Sequence, residues 1–296
     1  MPRIITYTIP ENYDHYKIIT FLRQQGYTAR SLKLIKEDWG NVRRNGEPTW
    51  LTMRVAAGDT VTITIDERGG SEDILPVDLP FPVVYEDEDL IVVNKPPFMS
   101  IEPSVEHFED SLGNAAAFYF RQHGLPFVYR CVNRLDRDTS GLTVIAKHFV
   151  SSGILGDMVR DRRVQRTYTA ICAGEDLPDS GTVDLPISRK PDSVLERWTE
   201  DPDGDRAVSR YTVLERRGGL CLVRLRLETG RTHQIRVHMK AIGHPIIGDF
   251  LYNPDYSRIA RQALHAGSLS FEQPLTKEPL SFEAELPEDM VRAFWG

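Results

Sequence analysis

Two stretches of the chain concentrate side chains able to do chemistry. The first is Asn133-Arg134-Leu135-Asp136-Arg137-Asp138-Thr139-Ser140-Gly141, with four charges in five positions beside a turn-forming Asp-Thr-Ser-Gly. Asp138 and Thr139 suit a surface turn that hydrogen-bonds its own backbone. Asp136 is less easily explained as turn material. A loop carboxylate flanked by Arg134 and Arg137 favours its ionised form, suited to act as a nucleophile or base. The second stretch runs from Glu228 to Met239 and contains Thr229-Gly230-Arg231-Thr232-His233-Gln234-Ile235-Arg236. Here a strand is expected to end at Thr229-Gly230, with Thr232 as the N-cap of a helix over 232–242. Arg231 falls at that junction, where backbone N–H groups and a guanidinium together favour an anion. His233 and His238 are five apart, not the four that sets two metal ligands on one helix face.

A third segment, 160–168, holds Arg160, Arg162, Arg163 and Arg166 within seven positions, a surface suited to phosphates. Tyr168 opens the strand that follows; a core aromatic with a satisfied hydroxyl is its plain structural reading. The sequence has no Walker-type loop, dinucleotide-type glycine fingerprint or Gly-x-Ser-x-Gly elbow, so nothing calls for a nucleotide cofactor.

These residues must be positioned by a mixed set of elements. Strands are expected at 83–85, 90–94, 142–147, 168–172, 209–214 and 220–227, and helices at 111–122 and 149–160. Strands and helices do not alternate regularly, which disfavours a doubly wound parallel sheet and points to an α+β unit with a mixed, largely antiparallel sheet. Residues 1–70 read as a separate small α+β unit. Ile18, Phe21 and Leu22 mark one face of a first helix, and Leu32, Ile35 and Trp39 one face of a second. Arg30, Lys33 and Lys36 recur every third residue on that second helix as a basic stripe. A strand pair turns at Asn45-Gly46, and 61–65 alternates like a half-buried strand. Gly69-Gly70-Ser71 opens a linker at 71–82, and a catalytic unit at 83–296 follows.

The 296 residues, 41% hydrophobic and 27% charged, exclude disordered, collagen-like and coiled-coil chains. No run reaches the roughly 20 apolar residues of a membrane span, and the N-terminus lacks a secretory h-region. Cys131, Cys172 and Cys221 are too few and scattered for a disulfide framework or a structural zinc site, and read as small buried hydrophobes. A reducing, cytoplasmic setting is expected. Net charge is −7, which rules out a uniformly basic nucleic-acid binder, but its distribution is uneven. Residues 66–110 carry 13 acids and 2 bases, whereas 121–172 carry 9 bases and 4 acids, and 215–240 carry 7 bases and 2 acids. The two basic segments are able to form one positive cleft with an acidic back; ordinary solvated faces are the simpler explanation on charge alone.

The Asp136 stretch resembles the signature of the RluA-type pseudouridine synthases. Further matches follow in order: Val93-Asn94-Lys95-Pro96, the segment 166–170, the segment 229–238, Pro245 to Asp249 with Leu251-Tyr252, and Leu264-His265-Ala266. The resemblance spans about residues 83 to 285, and residues 15–65 are similar to the S4 RNA-binding module. Two departures stand out. Asn133 replaces the usual His, and Pro97-Phe98 replaces a small residue followed by Gly.

The resemblance implies isomerisation of uridine in RNA to pseudouridine. The N-glycosidic bond breaks, the uracil turns, and a bond forms from C5 to C1′ of the ribose. Asp136 matches the catalytic carboxylate, whose attack on base, attack on sugar or removal of a ribose proton sequence does not distinguish. Tyr168 matches the tyrosine that stacks on the uracil and assists loss of the C5 proton. Arg231 matches the arginine that pairs with the aspartate, and Arg134 the residue that fills the gap left by the extruded nucleotide. An isomerisation without redox change needs no cofactor. Arg160, Arg162, Arg163 and Arg166, with Arg30, Lys33 and Lys36, are the expected phosphate contacts. Ribosomal RNA is the expected partner, with transfer RNA as the alternative, for a monomer. Two other readings compete: a non-catalytic RNA-binding or ribosome-assembly factor, and a hydrolase using Asp136 and Asp138 as an acid–base pair.

Overall fold

The computed structural model describes residues 2–67 and 70–296. Gly69 of the expected linker motif, with Met1 and Arg68, lies outside the described residues. The chain begins with β1 (Arg3–Thr8), α1 (Ile18–Gln24), α2 (Ala29–Ile35), β2 (Val42–Arg44), β3 (Glu47–Pro48) and β4 (Thr60–Ile65). These strands form a sheet in the order β1-β4-β2-β3, covered by the two helices. In β4 the alternating burial of Val61, Ile63 and Ile65 matches the periodicity read from sequence. Strand β1 lacks that signal, because Ile5 alone is buried.

Trp39 departs from expectation. It is not on the apolar face of α2, which ends at Ile35 with Lys36 as C-cap. Trp39 is 59% exposed and packs on Trp50 with ring centroids 4.3 Å apart. Arg30, Lys33 and Lys36 are exposed, as the stripe requires.

The larger sheet is built from β5 (Val83–Glu86), β6 (Leu90–Lys95), β7 (Ser140–Ala146), β8 (Gln165–Ala173), β9 (Ser180–Asp184), β12 (Val208–Arg217), β13 (Leu220–Leu227), β14 (Leu264–Glu272) and β15 (Pro279–Glu283). A two-residue pair, β10 (Ser188–Arg189) and β11 (Arg197–Trp198), stands apart. Helices α3 (Leu112–Gln122), α4 (Phe149–Arg160), α5 (Gln234–Ala241) and α6 (Glu288–Trp295) complete the chain. Strand order is β5-β6-β7-β14-β8-β13-β12-β9, with β15 on the free part of β14. The pair β7–β14 is parallel, and the other named pairs of the described residues are antiparallel. This is the expected α+β architecture with a mixed, largely antiparallel sheet.

Period-two alternation divides this sheet between two cores. Ile91, Val93 and Ile145 face one, with α3, α5 and α6. Leu90, Val92, Leu142 and Val144 face the other, with α4 and the residues of α1, α2 and β4. The small sheet and its helices thus cover a face of the large sheet. Buried Asp89 fastens this contact, accepting from Arg3 of β1 (2.8 Å), His148 (3.0 Å) and Gln273 (2.7 Å). Residues 71–82 run along the larger unit. The Tyr129 amide donates to Ser71 Oγ (2.9 Å), the Val77 amide to the Asn114 carbonyl (3.2 Å), and Leu79 and Phe81 pack on the core. No helix among the described residues is long and apolar enough to cross a membrane.

Candidate active site

The loop 133–139 leads into β7 and carries Asp136. It is pinned at nearly every residue. Asn133 is buried; its amide donates to the Leu142 carbonyl (3.3 Å) and accepts from the Val144 amide (3.0 Å). Leu135 packs into the core. Lys95, fully buried, donates from Nζ to the carbonyls of Pro96 (2.9 Å), Met99 (2.8 Å) and Arg137 (3.0 Å). Burial pulls the Lys95 pKa down to about 7, opposed by the charges of Asp138 and Asp136. Arg261 donates to the Asp138 carbonyl (3.1 Å) while its fork grips Asp289 (2.7 and 2.9 Å). Gln262 reaches Thr139 Oγ1 (3.2 Å), and His265 bonds Ser140 Oγ (2.9 Å). Gly141 follows with φ +117°, and a Cβ there would sit 2.3 Å from the Ala266 carbonyl oxygen. Only glycine lets β7 and β14 approach so closely at the root of the loop.

The guanidinium paired with Asp136 belongs to Arg236 of α5, which donates from Nη1 to Oδ2 at 2.9 Å. Arg231, the expected partner, is half-exposed and turned elsewhere, bonding the Arg206 carbonyl (3.3 Å) and pairing with Asp205 (3.5 Å). The reason is local. The Arg231 amide is taken by Gln234 Oε1 (3.0 Å), and α5 starts after His233, held at φ +58° without a side-chain cap. Thr232 is therefore not the N-cap. Arg236 is the third residue of α5, beneath the loop, and is 1% exposed. Its other nitrogens fork onto Asp249, Nε to Oδ2 at 2.7 Å and Nη2 to Oδ1 at 2.8 Å. Asp249, wholly buried, also accepts from the amides of Leu251 and Tyr252. Burial alone would lower the Arg236 pKa; the Asp249 hydrogen bond and the Asp136 charge more than offset it, and the group stays cationic. The Tyr252 and Phe250 rings lie 5.1 and 5.3 Å from the guanidinium.

Asp136, Tyr168, Arg134, Arg231, His233 and Arg236 share a pocket of about 70 Å³ with Leu227, Ile235 and Leu264. Tyr168 is buried in β8, so that pocket has an aromatic wall and apolar sides. It adjoins a cleft of about 970 Å³ lined by Arg134, Arg137, Arg231, Phe98 and Phe250 among others. Burial pushes the His233 pKa below its ordinary value, against the pull of Asp136. Asp138 is held by Arg137 (2.7 Å) and Asp136 by Arg236 (2.9 Å), so each carboxylate has its own cation.

The four-arginine segment divides. Arg160 is bound by Asp157 (2.6 Å) and Asp161 (3.1 Å), and Arg163 pairs with Asp161 (3.7 Å). Arg162 lies close enough to Glu228 to act on its charge. Arg166 lines neither cavity, but its guanidinium lies 3.5 Å from where a Cβ on Gly230, a residue of the cleft wall, would be. Arg30 and Lys33 lie on α2 and Lys36 is its C-cap, and none of the three lines this pocket. Sequence reasoning missed Arg236, Asp249, Lys95 and His233 as members of the site. A charged residue inside the buried run 234–239 was the one available signal for Arg236.

A carboxylate paired with a buried arginine thus stands against an aromatic wall, beside a cleft lined by Arg134, Arg137 and Arg231 together with Glu102, Glu106 and Asp138. The family model of RNA pseudouridylate synthase matches residues 89–241. An uncharacterized RNA pseudouridine synthase of Bacillus subtilis strain 168, YjbO, is 41% identical over 271 residues, covering 92% of this chain and 95% of that protein. Ribosomal large subunit pseudouridine synthase D of Escherichia coli O6:H1 is 36% identical over 254 residues, covering 80% and 76%. The solved structure of human RNA pseudouridylate synthase domain containing 1 superposes with a TM-score of 0.58 at 26% identity, over 74% of this chain and 86% of that one. The chain belongs to the RNA pseudouridylate synthase family, isomerases that act on RNA.

Proposed function

We propose that this chain isomerises uridine to pseudouridine in ribosomal RNA, with Asp136 as the catalytic residue. The observation behind this is the Asp136–Arg236–Asp249 chain, which presents one loop carboxylate at 29% side-chain exposure from an otherwise buried ion network. Tyr168 offers its ring to the uracil. Leu227, Ile235 and Leu264 exclude water around it. Arg236 orients the carboxylate, and Arg231 serves as a wall of the pocket. Reaching the glycosidic bond requires the nucleotide to leave its stack, at a cost of a few kcal/mol. Arg134 fills the gap left by the extruded nucleotide, and contacts to phosphate from Arg166 offset part of that cost and set register rather than sequence.

Residues 1–70 act in this reading as an S4-like RNA-binding domain, with Arg30, Lys33 and Lys36 as a second foothold, 71–82 as the linker and 83–296 as the catalytic domain. The names of relatives such as the large-subunit synthase support ribosomal RNA over transfer RNA. A cytoplasmic monomer suffices for this chemistry.

Mapping pseudouridines in total RNA tests the proposal. RNA from cells lacking the chain should lose one or a few sites in ribosomal RNA, and these should return with the wild-type chain but not with Asp136→Asn. Return of every lost site with Asp136→Asn would favour the non-catalytic RNA-binding reading.

A further inference from the structure

Phe98 occupies a backbone conformation that its side chain does not favour. Its φ is +62°, in the left-handed region that glycine enters freely and bulky residues avoid. The surrounding backbone has no slack to relieve this. Lys95 ties the carbonyls of Pro96 and Met99 from within, and the Met99 amide donates to the Arg137 carbonyl at 3.1 Å. Nor does the core reward the ring. Phe98 is 46% exposed, whereas its neighbour Met99 is buried. Residues held in such a conformation concentrate where function uses them.

The ring lines the cleft that contains Asp136. The guanidinium of Arg137, the residue after Asp136, lies 5.9 Å from its centroid. Arg134 and Arg231 line the same cleft. An exposed aromatic face backed by a planar cation, with further arginines in reach of a backbone, matches how proteins hold an unstacked base of RNA. We infer that Phe98 and Arg137 form a stacking subsite for a nucleobase flanking the everted uridine. The inference rests on the proposed function, since Asp136 marks where the uridine goes. A flanking base stacked here is held when the target nucleotide leaves the helix, so the subsite selects uridines whose neighbour is itself free to unstack.

The test uses full-length Phe98→Gly, Phe98→Leu and Phe98→Trp, with three readouts. These are thermal unfolding, tritium release from [5-³H]uridine-labelled total RNA of cells lacking the enzyme, and filter binding of that RNA in an Asp136→Asn background. Gly and Leu should each raise KM and Kd roughly five- to hundredfold, the range for losing one stacked base. The kcat should stay within about a factor of two, as loss of uniform binding requires. Trp should restore both constants. Gly should unfold at the same or a higher temperature than the wild type, since it relieves the left-handed strain. Wild-type KM and Kd in Phe98→Leu, or a Phe98→Trp no better than Leu, would overturn the subsite. So would a Phe98→Gly that loses thermal stability and kcat together, which is the mark of a structural role. Failure of the proposed function looks different: the wild type would then release no more tritium than Asp136→Asn, while the binding series still decides the subsite.

Discussion

Substituting Arg236 by lysine keeps the positive charge and removes the fork. In the native site three nitrogens serve two carboxylates, with Nε and Nη2 on Asp249 and Nη1 on Asp136. An ammonium is a point donor and cannot span both. Asp249 is wholly buried and demands the cation more strongly than partly exposed Asp136, so the lysine stays with Asp249. One charge-assisted hydrogen bond is then lost outright, at about 1.5–3 kcal/mol of stability. The catalytic carboxylate loses its brace, and misplacement by about 1 Å costs on the order of a hundredfold in rate. Arg231→Lys is the paired control. Arg231 is half-exposed, and its ion pair to exposed Asp205 spans 3.5 Å. Loss of such a pair costs at most about 1 kcal/mol, or about a factor of five in rate. Urea unfolding and single-turnover tritium release, run on both variants, read the two quantities. A hundredfold loss in Arg231→Lys with near-native activity in Arg236→Lys would refute the assignment of the brace to Arg236.

Other perturbations report on how the loop is built. Gly141→Ala places a methyl group against the Ala266 backbone and should cost about 3 kcal/mol or more from strain and overpacking, seen as a lowered urea midpoint. Asn133→Ala leaves the Val144 amide and the Leu142 carbonyl without their side-chain partner and should cost about 1–3 kcal/mol by the same assay. His265 is buried beside Ser140, and burial pushes its pKa down to about 4. Its contribution is therefore complete above the ordinary histidine value of 6.5 and is lost as pH falls towards 4. Between pH 7 and 4.5 the wild type should lose about 2–3 kcal/mol more than His265→Gln, and equal losses would contradict this. Affinity for RNA should fall steeply between 50 and 200 mM salt through counterion release, and a flat response in filter binding would contradict a basic cleft.

Much of the scaffold was legible because burial imposes a period. The alternating residues of β4 and the apolar run of β6 each revealed a strand, and Ser111 with Asn114 closes a capping box at the start of the helix expected near 111. Strands β1 and β14 were not legible, because the first buries one side chain and the second breaks its alternation at a bulge near Gly267. Trp39 misled in the other direction, since three- to four-residue spacing continues past the point where α2 ends. The Asp136 loop stood out because its charges are consecutive. Its brace did not, because Arg236 meets Asp136 across 100 positions of chain and Asp249 lies 13 further on. The family resemblance pointed to Arg231 as the partner of Asp136, whereas the left-handed start of α5 at His233 brings the later arginine under the loop.

Tritium release from [5-³H]uridine-labelled ribosomal RNA, compared between the wild type and Asp136→Asn, bears most directly on the role given to that carboxylate. Asparagine keeps the size of the side chain and a hydrogen-bond acceptor for Arg236 but removes the reacting anion. Release by the wild type, with the variant at the level of RNA alone, is the predicted result. Release by Asp136→Asn within about tenfold of the wild type would contradict it.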